Sequence, residues 1–115
     1  MSAAGTSILL LVRRRDPALL RLLKFEYDEC ALCGVTWMLH LHHVVRRSHG
    51  GDDVRANIVC LCQRCHDDYH LRRNDGVGAS LARHLLTSRQ DAVDYIRGKL
   101  GEDAAKEWFN VHASG

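Results

Sequence analysis

The sequence predicts an α+β protein: a two-stranded hairpin running into a helix, supported by zinc and flanked by N- and C-terminal helices. Three observations carry this. Two runs rich in Val, Leu, Ile or aromatic residues, 36–45 and 57–61, are separated by the loop Gly50-Gly51-Asp52-Asp53. Two Cys-x-x-Cys corners, Cys30/Cys33 and Cys62/Cys65, stand at either side of that hairpin. His66 and His70 then follow at the i, i+4 spacing of one helix face. We expect residues 1–115 to form a single domain, with a core motif at 28–72 and a helical C-terminal extension at 79–115.

Composition bounds the reading. A chain of 115 residues, 46% hydrophobic and 26% charged, is long enough for one modest core. The net charge of +2 permits nucleic-acid binding without arguing for it. Five cysteines cannot all pair with one another. The apolar run 8–12 is too short for a secretory signal, and its arginines follow rather than precede it. No segment approaches membrane-spanning length. The expectation is a cytoplasmic, reducing setting in which cysteines bind metal.

In chain order, residues 1–7 are small and polar, and 8–12 fits either a short strand or a helical turn. Asp16-Pro17 is a helix start, with Leu19, Leu20 and Leu23 on its apolar stripe and Asp28 and Glu29 at its close. Cys30 to Gly34 forms a zinc-knuckle turn, with the glycine relieving the backbone. After the hairpin, a helix is expected over 63–72. Asn74-Asp75-Gly76 and Gly78 end it. Thr87 and Ser88, with Gln90 and Asp91 three residues on, resemble capping boxes for a helix bearing Val93, Ile96 and Leu100. Gly101 stops that helix, and 102–110 forms another carrying Trp108 and Phe109.

The chemistry lies in two ligand sets. Cys30, Cys33, Cys62 and Cys65 can close a tetrahedral thiolate shell, which suits structural Zn2+. Cys60 lacks the knuckle spacing and is assigned to the core of the second strand. Three neutral imidazoles with an open position suit a catalytic divalent metal, and His66 and His70 supply two. The third must come from the hairpin, where His40, His42 and His43 compete. Strand alternation puts His40 and His42 on one face and His43 on the other. Arg46 and Arg47 are candidates for holding flanking phosphates. Arg13 to Arg15 reads as a solvated charge run, and His49, His84 and His112 as surface residues.

Taken in order, His42-His43, Asn57, and Cys62-x-x-Cys65-His66-x-x-x-His70 resemble the His-Asn-His (HNH) endonuclease motif in its ββα-metal, treble-clef-like form. The resemblance covers about 28–72. It implies that His42 binds the catalytic metal with His66 and His70, that His43 is the general base, and that Asn57 ties the loop holding the hairpin. The all-histidine ligand set looks closest to the colicin DNase branch, and the four-cysteine zinc to phage and restriction-type members. Many relatives have Asp or Glu where His42 stands and Pro where Arg46 stands. The implied activity is hydrolysis of double-stranded DNA to 5′-phosphate and 3′-hydroxyl ends, with Mg2+, Mn2+, Ni2+ or Zn2+ stabilising the leaving 3′ oxygen. Phage packaging or restriction machinery is the implied setting. The alternative is a zinc-binding nucleic-acid-binding module that does not cut; the cysteines serve both readings, and only the histidines separate them.

Overall fold

The computed structural model describes residues 13–71 and 76–113. Helix α1 (Pro17–Glu26) starts as expected: the Asp16 carboxylate accepts the Leu19 N–H at 3.1 Å, and Pro17 occupies the first turn. Leu23 is its buried anchor. Strand β1 (Leu39–His43) pairs antiparallel with β2 (Ile58–Cys62), placing His42 opposite Val59 and His43 opposite Ile58. All five residues of β2 are buried, because it carries core on both faces. Helix α2 (Gln63–Leu71) begins directly after Cys62, and Arg72 to Asp75 lie outside the described residues, as does 8–12.

The first strand is shorter than the run 36–45 suggested. Met38 has a φ of +54°, which breaks the extended conformation just before Leu39. Val44 and Val45 leave the ladder to pack in the core, their backbones bonded instead to Asn57. Two short 3-10 turns, Arg47–His49 and Arg55–Asn57, complete the connection.

The larger correction lies downstream. Gly76 and Gly78 do not end a helix; they sit in the first turn of α3 (Gly76–Ser88). Val77, Leu81 and Leu85 recur every four residues and are buried, Leu81 and Leu85 in one cluster with hairpin residues and the later helices, which outweighs the weak helix propensity of glycine. Thr87 and Ser88 are the last residues of α3 and cap nothing: the Thr87 hydroxyl donates back to the Arg83 carbonyl at 2.8 Å. Helix α4 (Gln90–Leu100) has Arg89 at its N-cap without a side-chain cap bond. It stops at Gly101, as expected, and α5 (Glu102–Ala113) follows.

One hydrophobic cluster joins both halves, including Cys30, Val45 and Leu61 from the hairpin side and Leu81, Val93 and Ile96 from the helices. The fold is therefore a small α+β arrangement, a two-stranded antiparallel sheet with five helices among the described residues. No described helix is long and apolar enough to cross a membrane.

Candidate functional site

The two Cys-x-x-Cys corners converge. One sulfur from each of Cys30, Cys33, Cys62 and Cys65 lies within 4.8 Å of the others, and the Cys33 and Cys62 sulfurs are 3.6 Å apart. The first corner turns through Gly34, at a φ of +80°, where the Gly34 N–H reaches the Cys30 carbonyl at 2.9 Å. The second is set by the start of α2, whose Cys65 N–H points at the Cys62 sulfur at 3.4 Å. Burial would raise the Cys30 thiol, but surrounding backbone donors outweigh it and bring it down to about 7. Four convergent thiols of this kind could hold a structural metal such as zinc. Cys60 stays outside the cluster; burial pushes it up to about 11, which disfavours the thiolate form.

The second cluster is His42, His66 and His70, one nitrogen of each again within 4.8 Å of the others. His42 is only 2% exposed, edge-on to Tyr69 with ring centroids 4.8 Å apart. Burial, followed by the neighbouring His66 and His70, lowers its imidazole to about 3, so it is neutral at physiological pH with a lone pair to offer. Burial likewise lowers His66 and His70. His42 Nε2 and His66 Nδ1 are buried without a hydrogen-bond partner among the described residues. Buried orphan nitrogens in a converging imidazole set fit a metal ion, which would accept their lone pairs. His40 shares the face, stacking on His66 with centroids 5.4 Å apart, but its Nε2 is engaged by Gln63 Oε1 at 2.6 Å and it is outside the cluster.

His43 turns the other way. Its Nε2 lies 2.8 Å from Asp53 Oδ1, and Asp53 is 4% exposed. Burial would raise the Asp53 carboxyl, yet the Asp16 N–H, His43 and Arg13 outweigh that and hold it below the usual carboxylate range. Asp53 was not singled out from the sequence, nor was Arg13, which reads there as solvated. Arg13 instead donates to Gly51 O at 2.8 Å and to Asp53 Oδ1 at 2.5 Å. The available signal was a pair of acids in a glycine loop ten residues from an adjacent histidine pair. It could not say which acid turns inward. Asp52 turns to Tyr95 and Lys99 of α4.

Asn57, fully buried, locks this loop. Its Oδ1 accepts the Val45 N–H at 2.7 Å, and its Nδ2 donates to Val45 O at 3.1 Å and Asp52 O at 3.0 Å. The loop can close this tightly because residue 51 is glycine: a Cβ there would lie 1.7 Å from Val45 O. His43 and His66 both open onto one groove of about 450 Å³, which Arg47, Arg21 and Lys24 also line. Arg46 is exposed beside it in sequence. His112, expected at the surface, is partly buried, with its Nε2 2.6 Å from the Tyr69 hydroxyl and its ring stacked on Trp108.

These features define a small ββα unit with two ligand clusters that could each hold a metal ion and a histidine held beside them. Residues 30–72 match the family model described as HNH endonuclease. Over 36 residues the chain is 44% identical to the "Type IV methyl-directed restriction enzyme EcoKMcrA" of Escherichia coli (strain K12), a similarity covering 31% of this chain and 13% of that enzyme. The chain thus matches only a small part of this relative's length. No solved structure gives a significant match.

Proposed function

We propose that the protein is a metal-dependent endonuclease that hydrolyses phosphodiester bonds of double-stranded DNA. The observation that carries this is a three-imidazole cluster beside a separately held His43, with His43 and His66 on one groove. His42, His66 and His70 would hold one divalent ion, Mg2+, Mn2+, Ni2+ or Zn2+, which when bound stabilises negative charge on the phosphoryl group and the departing 3′ oxygen. Cys30, Cys33, Cys62 and Cys65 would hold structural Zn2+ away from the reaction.

His43 is the general base. The ionised Asp53 accepts its Nε2–H, which leaves Nδ1 with the free lone pair. Burial keeps the ring neutral, so Nδ1 takes a proton from water as the water oxygen bonds to phosphorus. The bond from phosphorus to the 3′ oxygen breaks, that oxygen gains a proton from solvent, and 5′-phosphate and 3′-hydroxyl ends result. Asp53 fixes ring orientation, Asn57 fixes the loop that carries Asp53, and Arg46 and Arg47 hold flanking phosphates. The five free cysteines suit a reducing, cytoplasmic setting.

Nicking of supercoiled plasmid against metal concentration tests the assignment. His43→Ala should fold, bind metal and bind DNA, yet cut roughly a hundredfold slower or worse, in line with general-base contributions. His42→Ala, His66→Ala and His70→Ala should each be partly rescued by excess metal. His40→Ala should retain the parent's metal response. Rescue of His43→Ala by metal, or full cleavage by it, would overturn the role of the base. Tight DNA binding by the parent without cleavage in any of the four metals would favour the binding module.

A further inference from the structure

The groove beside the histidines has a wall that lies outside the HNH stretch. Pro17, Leu20, Arg21 and Lys24 of α1 line it, at i, i+3, i+4 and i+7, so a single helix face is turned toward His43 and His66. Arg21 and Lys24 are exposed, and neither has an ion pair or hydrogen bond with a described residue. Arg47, on the hairpin side of the same groove, is likewise unpaired among the described residues. By contrast Arg13, Arg55, Arg89 and Arg97 are all bound to carboxylates. Among the described residues, no carboxylate lines the groove. Unpaired cations on both sides of a cleft, with no described acid lining it, leave a positive channel that suits a chain of phosphates.

We infer that α1 is a phosphate-binding wall of this groove, with Arg21 and Lys24 holding the backbone of the strand being cut while Arg47 holds it from the hairpin side. The inference rests on the nuclease reading and adds the residues that seat its substrate. The chemistry recognised is the phosphodiester backbone, which duplex DNA, single-stranded DNA and RNA share.

The test uses the full chain carrying His43→Ala, so that cutting is slow on the timescale of binding, and labelled 20-base probes of each kind in Mg2+. Arg21→Gln with Lys24→Gln should lower the slope of log Kd against log salt by about 1.4–1.8, two phosphate contacts at 0.7–0.9 each. Affinity at 0.1 M salt should fall about tenfold or more. Arg83→Gln with Lys106→Gln makes the same charge change on exposed positions of α3 and α5 and should shift the slope by less than about 0.5. With His43 intact, the α1 double variant should raise KM far more than it lowers kcat. An unchanged slope on all three probes, with binding by the parent intact, overturns the inference and leaves the nuclease reading standing. Equal loss in the control pair overturns it too, because net charge alone would then explain the effect. A parent that binds none of the probes removes both. Loss of slope on single-stranded DNA or RNA alone upholds the wall and changes the substrate named above.

Discussion

Asn57→Ala is the most informative perturbation of the fold around the site, because one buried side chain closes the whole loop. Alanine removes three hydrogen bonds, with Val45 N–H, Val45 O and Asp52 O as the partners. At a net ~1 kcal/mol each, with a further penalty for stranding the buried Val45 N–H, the loss comes to roughly 3–4 kcal/mol. That is a large share of the ~5–15 kcal/mol holding a domain together, and should lower the melting temperature on the order of 10–20 °C. Asn57→Asp is the sharper companion. It keeps the acceptor for Val45 N–H but aims a carboxylate oxygen at the two carbonyls that now receive Nδ2, so it should be at least as damaging as alanine despite its matching shape. The assay is thermal unfolding by circular dichroism with zinc saturating, and zinc content should stay at the parent value in both variants. A melting point within 2 °C of the parent for Asn57→Ala, or a clearly milder effect for Asn57→Asp, would refute the reasoning.

Cys62→Ser should lose zinc and melt at lower temperature, whereas Cys60→Ser should keep its zinc with a packing penalty at most; metal analysis beside a melting curve reads both. Gly51→Ala should cost at least about 3 kcal/mol, since its Cβ meets backbone atoms that cannot swing away, while Gly98→Ala, exposed in α4 with nothing near its Cβ, should stabilise by about 0.5–1 kcal/mol. Asp53 has a folded pKa below its unfolded value, so its contribution is present above about pH 4 and is lost as pH falls through the folded value. The melting difference between parent and Asp53→Asn should therefore be widest near neutrality and shrink below about pH 4; a difference that is constant with pH would contradict this.

Local chemistry was legible in the sequence where the geometry is itself local. A Cys-x-x-Cys turn, an i, i+4 histidine pair and an Asp-Pro helix start each fix their own shape within a few bonds, and residues 30–33, 62–65, 66–70 and 16–17 appear as their spacing implies. Choices made by distant contacts were not legible. Strand alternation left His40 and His42 both open and only the family resemblance chose His42; in the fold His40 is engaged by Gln63. The helix over Gly76–Ser88 depends on a core built partly from α4 and α5, against its own glycines. Thr87 and Ser88 had the letters of a capping box, but α3 runs through both. Which of Asp52 and Asp53 faces His43 is decided by Arg13 and Tyr95, each about forty residues away in the chain.

Helix α4 reaches the hairpin at two places. Arg89 donates to the carbonyls of Ile58 and Arg55, each at 2.9 Å, and the Tyr95 hydroxyl donates to Asp52 at 2.6 Å and accepts the Asp52 N–H at 2.9 Å. A two-stranded sheet alone is marginal and would open by itself. Clamped in this way, the loop carrying Asp53 cannot detach unless α4 also lifts, so both should belong to one cooperative opening unit. Amide exchange should then report it directly: the protected N–H groups of Val44 and Val45 and those in the middle of α4 should exchange with a common opening free energy and respond in parallel to denaturant. A segment far outside residues 30–72 thus sets how often the histidine site comes apart.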